Sequence, residues 1–221
     1  MRRRYPARMD LGSVLGRAFA GGASELPEDT TATRILDAAV SECASRGIGA
    51  LTIDGVARRA GVNRVTIYRR FGDRDSMLQA MTLREGRRMA EGILVAISGV
   101  EEPADQLVEA FVAAMRLAEA HPVIRRTAEF EPQDLIAAGL ADGAALLVLG
   151  STFIAAGVRR AQADGVAIHL DADQVGETMA RLFASFILLP AQHAIDVRSA
   201  DGARAYARQT LVPLVLGVPG P

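Results

Sequence analysis

The chain contains no lysine and no tryptophan, one cysteine, three histidines and only 5% aromatic residues. Each scarcity excludes something. A single cysteine, Cys43, rules out an internal disulfide framework and fits a reducing compartment. It falls on the apolar stripe of a predicted helix, so a small core residue is expected there rather than a redox sensor. His121, His169 and His193 lie far apart and lack metal-ligand spacing, so no metal site is expected. A nucleophile elbow, a glycine-rich phosphate loop and a His-Glu-x-x-His pair are all missing, which leaves no catalytic residue and no cofactor to name. No apolar run is long enough to span a membrane. The start of the chain imitates a secretion signal, with Arg2 to Arg4 ahead of LGSVLGRAFAGGA. Arg17 interrupts its apolar part, and no such signal is expected. The absence of lysine leaves 25 arginines as the only strong bases, which by itself carries no functional conclusion.

What is present favours helix. Half of the 221 residues are hydrophobic, with alanine and leucine dominant, enough for a sizeable core in one or two domains. The net charge of −1 hides an asymmetry. Residues 1–90 carry 16 arginines against 10 acids, and residues 91–221 carry 9 against 16. A basic first part suits phosphate neutralisation, and the acidic remainder need not touch nucleic acid.

The densest information lies in Thr52 to Phe71, TIDGVARRAGVNRVTIYRRF. Ile53, Val56, Ala57 and Ala60 recur at helical spacing, and Gly61 ends that helix where a left-handed residue is needed. Thr52 suits its start, but Gly55 stands where a full capping box would need Glu or Gln. Val62 can plug the corner, and Asn63 stands where a second helix wants its N-cap. That second helix runs to Phe71 and stops at Gly72. The pattern is a helix-turn-helix, whose second helix enters the DNA major groove. At ~100° per residue, Arg64, Val65, Tyr68 and Arg69 share one face, and Ile67 points back to the first helix. Such a face is poor for a core and suits a groove: arginine for guanine edges or phosphate, valine for a thymine methyl, tyrosine for phosphate.

The stretch AGVNRVTIYRRFGDRDSML resembles the DNA-binding signature of the TetR family of bacterial regulators. The family pattern has Ala-Gly-Val, then Ser or Asn, a basic residue, a small residue, Thr, an aliphatic residue and Tyr-x-x-Phe. A short turn and a helix opening on a basic residue follow, here Gly72, Asp73 and Arg74. The likeness runs over roughly residues 31 to 81. It departs at Val65, where Gly or Ala is usual, and at Arg70, where His or Asn is common. The resemblance implies an all-α homodimer, with an N-terminal three-helix DNA-binding domain and a variable helical domain that holds a small ligand and releases DNA. It makes Thr52, Asn63, Arg64, Val65, Thr66, Tyr68, Arg69, Arg70 and Arg74 the expected DNA contacts.

Along the chain, residues 1–29 read as a flexible arm with a basic start and an acidic end, 30–76 as the DNA-binding domain and 77–217 as the ligand-binding and dimerisation domain. Thr30 or Thr31 caps a first helix with Ile35, Leu36, Ala39, Val40 and Cys43 inward, ended by Gly47. Asp73 caps a long helix to about Ser98, with Gly86 and Gly92 marking a bend or close packing. Further helices are expected from Pro103 to about Glu119, from Val123 to Phe130, from Asp134 on, from Ala144 to Ala163, from Gln174 to about Leu189 and from about Gly202 to Leu216. Met89, Phe111, Met115, Phe130 and Phe153 are large and adaptable enough to line a pocket for an apolar effector. In the family the last two helices form the dimer seam, which would draw on Met179, Leu182, Phe183, Phe186, Leu211 and Leu214. The expectation is a cytoplasmic, ligand-responsive repressor that binds a palindromic double-stranded operator as a homodimer. The rivals are an activator, a helical scaffold without DNA binding and a small helical enzyme.

Overall fold

The computed structural model describes residues 30–130, 144–166, 169–189 and 194–217, and all regular structure among them is helical. The expected N-terminal arm, the pattern resuming at Asp134, His193 and the last four residues lie outside the described residues. None of the described helices is long and apolar enough to cross a membrane. The chain falls into two compact units. One takes the described residues within 23–87 and 119–146, the other those within 88–118 and 147–221.

The first unit is built around α1 (Thr30–Arg46). Ile35, Leu36, Ala39 and Cys43 form its buried stripe, as the 3.6-residue period requires. Against it pack α2 (Ile53–Ala60), α3 (Arg64–Phe71), the first part of α4 (Arg74–Ile97) and α6 (Pro122–Phe130). They contribute Val56, Ala57 and Ala60, then Ile67, Met77 and Met81, then Val123. Arg84 of α4 reaches α1 through the Asp37 carboxylate at 2.9 Å and the Thr33 carbonyl at 3.2 Å. His121 precedes Pro122 at the start of α6. Its Nδ1 accepts from the Ile124 amide, so its Nε2 carries the proton and faces Glu85 at 3.4 Å.

The second unit holds the end of α4, α5 (Pro103–Ala120), α7 (Ala144–Ala163), α8 (Ala172–Leu188) and a last helical run beginning with α9 (Ala200–Tyr206). Its core gathers Val108, Phe111, Met115, Ala155, Val158, Val175, Met179 and Leu211. Phe111, Phe186 and Tyr206 meet with ring centroids 5.3–6.0 Å apart, two of the three pairs edge to face. Arg204 of α9 holds Glu109 of α5 at 2.8 Å, and this partner pulls the Glu109 carboxyl below its ordinary pKa.

Two sequence features take on a structural meaning in this unit. The last run, expected as one helix, is interrupted by a π-helical segment, Ala207–Leu211, before α10 (Val212–Leu216). Pro213 explains it: proline has no N–H and its ring clashes with the carbonyl four residues back. Widening the turn relieves the clash, and Val212 accordingly bonds five residues back to Ala207. Gly92 marks close packing, since a Cβ there would meet Leu117 Cδ1 at 2.9 Å.

Helices α7 and α8 cross closely. A Cβ on Gly176 would lie 2.4 Å from the Ser151 carbonyl oxygen and 3.0 Å from the Ala155 Cβ. On Gly150, one turn away along the same crossing, it would meet the Ala180 Cβ at an ordinary 3.7 Å. Gly176→Ala should therefore destabilise this unit by about 1–3 kcal/mol through overpacking. Gly150→Ala should be neutral or stabilising by up to about 1 kcal/mol from helix propensity. Urea melts of the two variants check the contrast, and equal losses would contradict it.

Candidate nucleic-acid interface

Helix α2 is eight residues long, so its ends are fixed from outside the helix. Thr52 Oγ1 accepts from the Gly55 amide at 3.1 Å, the cap expected from its side chain. At the other end Gly61 adopts φ 62°. The Gly61 amide returns to the Arg58 carbonyl and that of Val62 to the Ala57 carbonyl, a Schellman ending. Arg34 of α1 adds a donor to the freed Ala60 carbonyl. Helix α3 starts at Asn63, whose side chain accepts from the Val65 amide at 3.0 Å, and closes at Gly72 with φ 86°.

Burial sorts the residues of α3 cleanly. Ile67 is fully buried against the core, while Arg64, Val65, Tyr68 and Arg69 are exposed. Val65 is 64% exposed and Tyr68 49%, the large hydrophobic side chains of this helix that the fold leaves in water. Arg64 and Arg69 make no hydrogen bond or ion pair among the described residues. The structure thus brings these four expected contacts together on one open face. Thr66 and Arg70 are half-buried, and Arg70 is already engaged. Asn63 and Thr52 are exposed, with their side-chain oxygens occupied as caps.

Arg74 sits differently. Its Nε donates to the Leu51 carbonyl, one Nη to the Ile48 carbonyl and the other to Asp75, each at 2.9 Å. It clamps the loop that leads into Thr52, and two of its five N–H groups have no partner among the described residues.

One interaction was not foreseen from the sequence. Glu42 of α1 is only 2% exposed, and its Oε2 accepts from Arg59 Nε at 3.2 Å and Nη2 at 3.1 Å. Its Oε1 accepts no hydrogen bond among the described residues, with Arg46 no nearer than 3.7 Å. A Cβ on Gly55 would come within 2.6 Å of that oxygen, so the glycine that breaks the capping-box pattern makes room for the carboxylate. The signal available in the sequence was a glutamate four residues before an arginine in a stripe otherwise apolar.

The residues expected at a pocket and at a dimer seam are dispersed. Phe111 and Met115 are core residues of the second unit, and Met89 and Phe153 are half-buried in it. Phe130 belongs to the first unit, 61% exposed beneath the Arg126 guanidinium. Met179 and Leu211 are buried in the core of the second unit. Leu182, Phe183 and Phe186 are half-buried at its margin, and Leu214 is exposed. An open pocket of about 160 Å³ lies between α8 and α10, lined by Leu170, Gln174, Thr178, Met179 and Leu214 among others. Among the described residues no cluster of His, Cys, Asp and Glu could hold a metal.

Two short, externally capped helices, the second with an open arginine-bearing face, define a helix-turn-helix of the DNA-binding kind. Residues 35–81 match the family model described as bacterial regulatory proteins, tetR family. It is 33% identical over 96 residues to an uncharacterised HTH-type transcriptional regulator of Mycobacterium tuberculosis, a match covering 43% of this chain and 48% of that protein. The chain thus spans about half the length of that relative. It is 27% identical over 172 residues, 77% of this chain and 80% of the other, to the HTH-type transcriptional regulator AlkX of the same species. Its fold is similar to the crystal structure of the TetR family repressor AlkX from a Dietzia species, with TM-score 0.61 and 23% identity over 82% of this chain and 95% of that one. These relatives carry the names of transcriptional regulators.

The arginines of the first unit therefore divide into those that hold the fold and those left open. Arg59→Ala strands a buried carboxylate and should cost about 2–3 kcal/mol of stability. Arg64→Ala, which removes only exposed atoms, should stay within about 0.5 kcal/mol. Chemical denaturation followed by circular dichroism separates the two, and a large loss from Arg64→Ala would contradict the division.

Proposed function

We propose that the chain is a transcriptional repressor of the cytoplasm that binds a near-palindromic DNA operator as a homodimer and leaves it when a mostly apolar small molecule binds. The observation that carries the DNA reading is the face of α3. Two arginines, a tyrosine and a valine stand exposed together there, on a helix whose ends and buried side are fixed by other residues. Arginine supplies bidentate donors for guanine or phosphate, and the caps leave the open face rigid. Arg74 has two N–H groups left for a phosphate beside its clamp. The chain in this reading works as a pair, with Leu182, Phe183, Phe186 and Leu214 at the seam. The effector is held in the second unit near Met89, Phe111, Met115 and Phe153; exposed Phe130 is left out of that lining.

Selection from random duplexes followed by footprinting tests the DNA reading. A two-fold protein should return two inverted half-sites, about one or one and a half helical turns apart. A single unrepeated half-site would count against the dimer, and no enrichment at all against DNA recognition. Arg64→Ala should weaken the selected site by about 1–3 kcal/mol. Arg74→Ala should weaken all sequences alike and lower the salt slope by about one. An unchanged slope would leave Arg74 as a clamp alone.

The effector reading rests on the apolar character of the second unit's large side chains. A ligand releases DNA only through its preference for the low-affinity state, and a ~100-fold preference corresponds to about 2.7 kcal/mol. Thermal-shift screening of apolar and polar compounds should find stabilisers among the apolar set that also dissociate the DNA complex. Stabilisation and release by anionic compounds alone would overturn it.

A further inference from the structure

We infer that Val65 selects thymine, by its methyl group, at one position of each half-site. This rests on the DNA reading above and names what one part of that face recognises.

The fold has no use for the valine side chain. It is 64% exposed on a helix whose opposite side, at Ile67, is fully buried. A β-branched residue in an eight-residue helix lowers helix propensity relative to alanine, so local stability does not call for it. Its backbone is committed: the Val65 amide donates to the Asn63 side chain, which fixes the first turn. In a helix valine holds one dominant χ1 rotamer, so its two methyl groups sit in a defined place before anything binds.

The surroundings determine the occupant. Arg64 precedes it, and Tyr68 and Arg69 follow at the i+3 and i+4 positions, on the same side of the helix. A second copy of this cationic face would be repelled, whereas a polyanion is drawn to it. Within the major groove of a polyanionic duplex, the thymine C5 methyl is the largest apolar group that the base edges present to a helix. Valine can neither donate nor accept a hydrogen bond, so that methyl is the group on the groove floor with which it gains most by contact.

Replacing thymine by deoxyuridine deletes that methyl and leaves every hydrogen-bonding group in place. The full-length protein is titrated against its selected operator and against versions in which each symmetric pair of thymines is changed in turn to deoxyuridine. Val65→Ala is titrated in parallel; it removes only exposed atoms and leaves a better helix former. With the wild-type protein, one pair of positions should weaken binding by about fourfold per methyl lost, the fold-change that goes with one buried carbon. Val65→Ala should bind the thymine and deoxyuridine operators equally at that pair. Indifference of the wild-type protein to every substitution would overturn the assignment while leaving DNA recognition standing. So would an equal loss in both proteins, which would give the methyl to another side chain. Failure to select any operator would overturn the DNA reading, and this assignment with it.

Discussion

An isolated helix of eight residues is not stable in water, because the cost of nucleation is not recovered over so few hydrogen bonds. Both helices of the helix-turn-helix are that short. Their existence therefore depends on what surrounds them, and most of the first unit can be understood as the means of holding them. Thr52 and Asn63 satisfy amides at their starts, Gly61 and Gly72 turn the chain at their ends, and Arg34 reaches across from α1 to the carbonyl at the close of α2. The buried stripe of α1 supplies the apolar surface that neither short helix has alone.

Arginine serves two opposed purposes in this unit. Its planar fork can meet two acceptors at once, which suits it to bridging carbonyls and carboxylates from separate segments. Arg59, Arg74 and Arg84 are used in this way, each joining elements far apart in sequence. Arg64 and Arg69 carry the same group on an open surface. The arginines in the first part of the chain thus outnumber those open to a ligand there, since several are engaged inside the fold.

Local signals made much of this legible in advance. The caps at Thr52 and Asn63, the glycine endings and the opposition of Ile67 to the arginine face follow from spacing and residue type, and the structure has them where expected. Side-chain partners distant in sequence were not legible. Nothing near Arg74 says that the carbonyls of Ile48 and Leu51 will lie beside it, and nothing near Glu42 says that Arg59 will cover it. Amphipathic pattern also fails to tell an intramolecular core from an assembly surface, which is why Met179 and Leu211 look alike in sequence to Leu214 but differ in exposure. The π segment had a visible cause in Pro213, whose missing N–H signals an irregularity inside a helical pattern.

The single cysteine gives the first unit a chemical clock. Cys43 is fully buried in the core that α1 shares with both short helices. A thiol so enclosed reacts with a soluble reagent only in molecules whose core has opened. With no second cysteine in the chain to confuse the signal, its modification rate reports the opening of the helix-turn-helix unit alone.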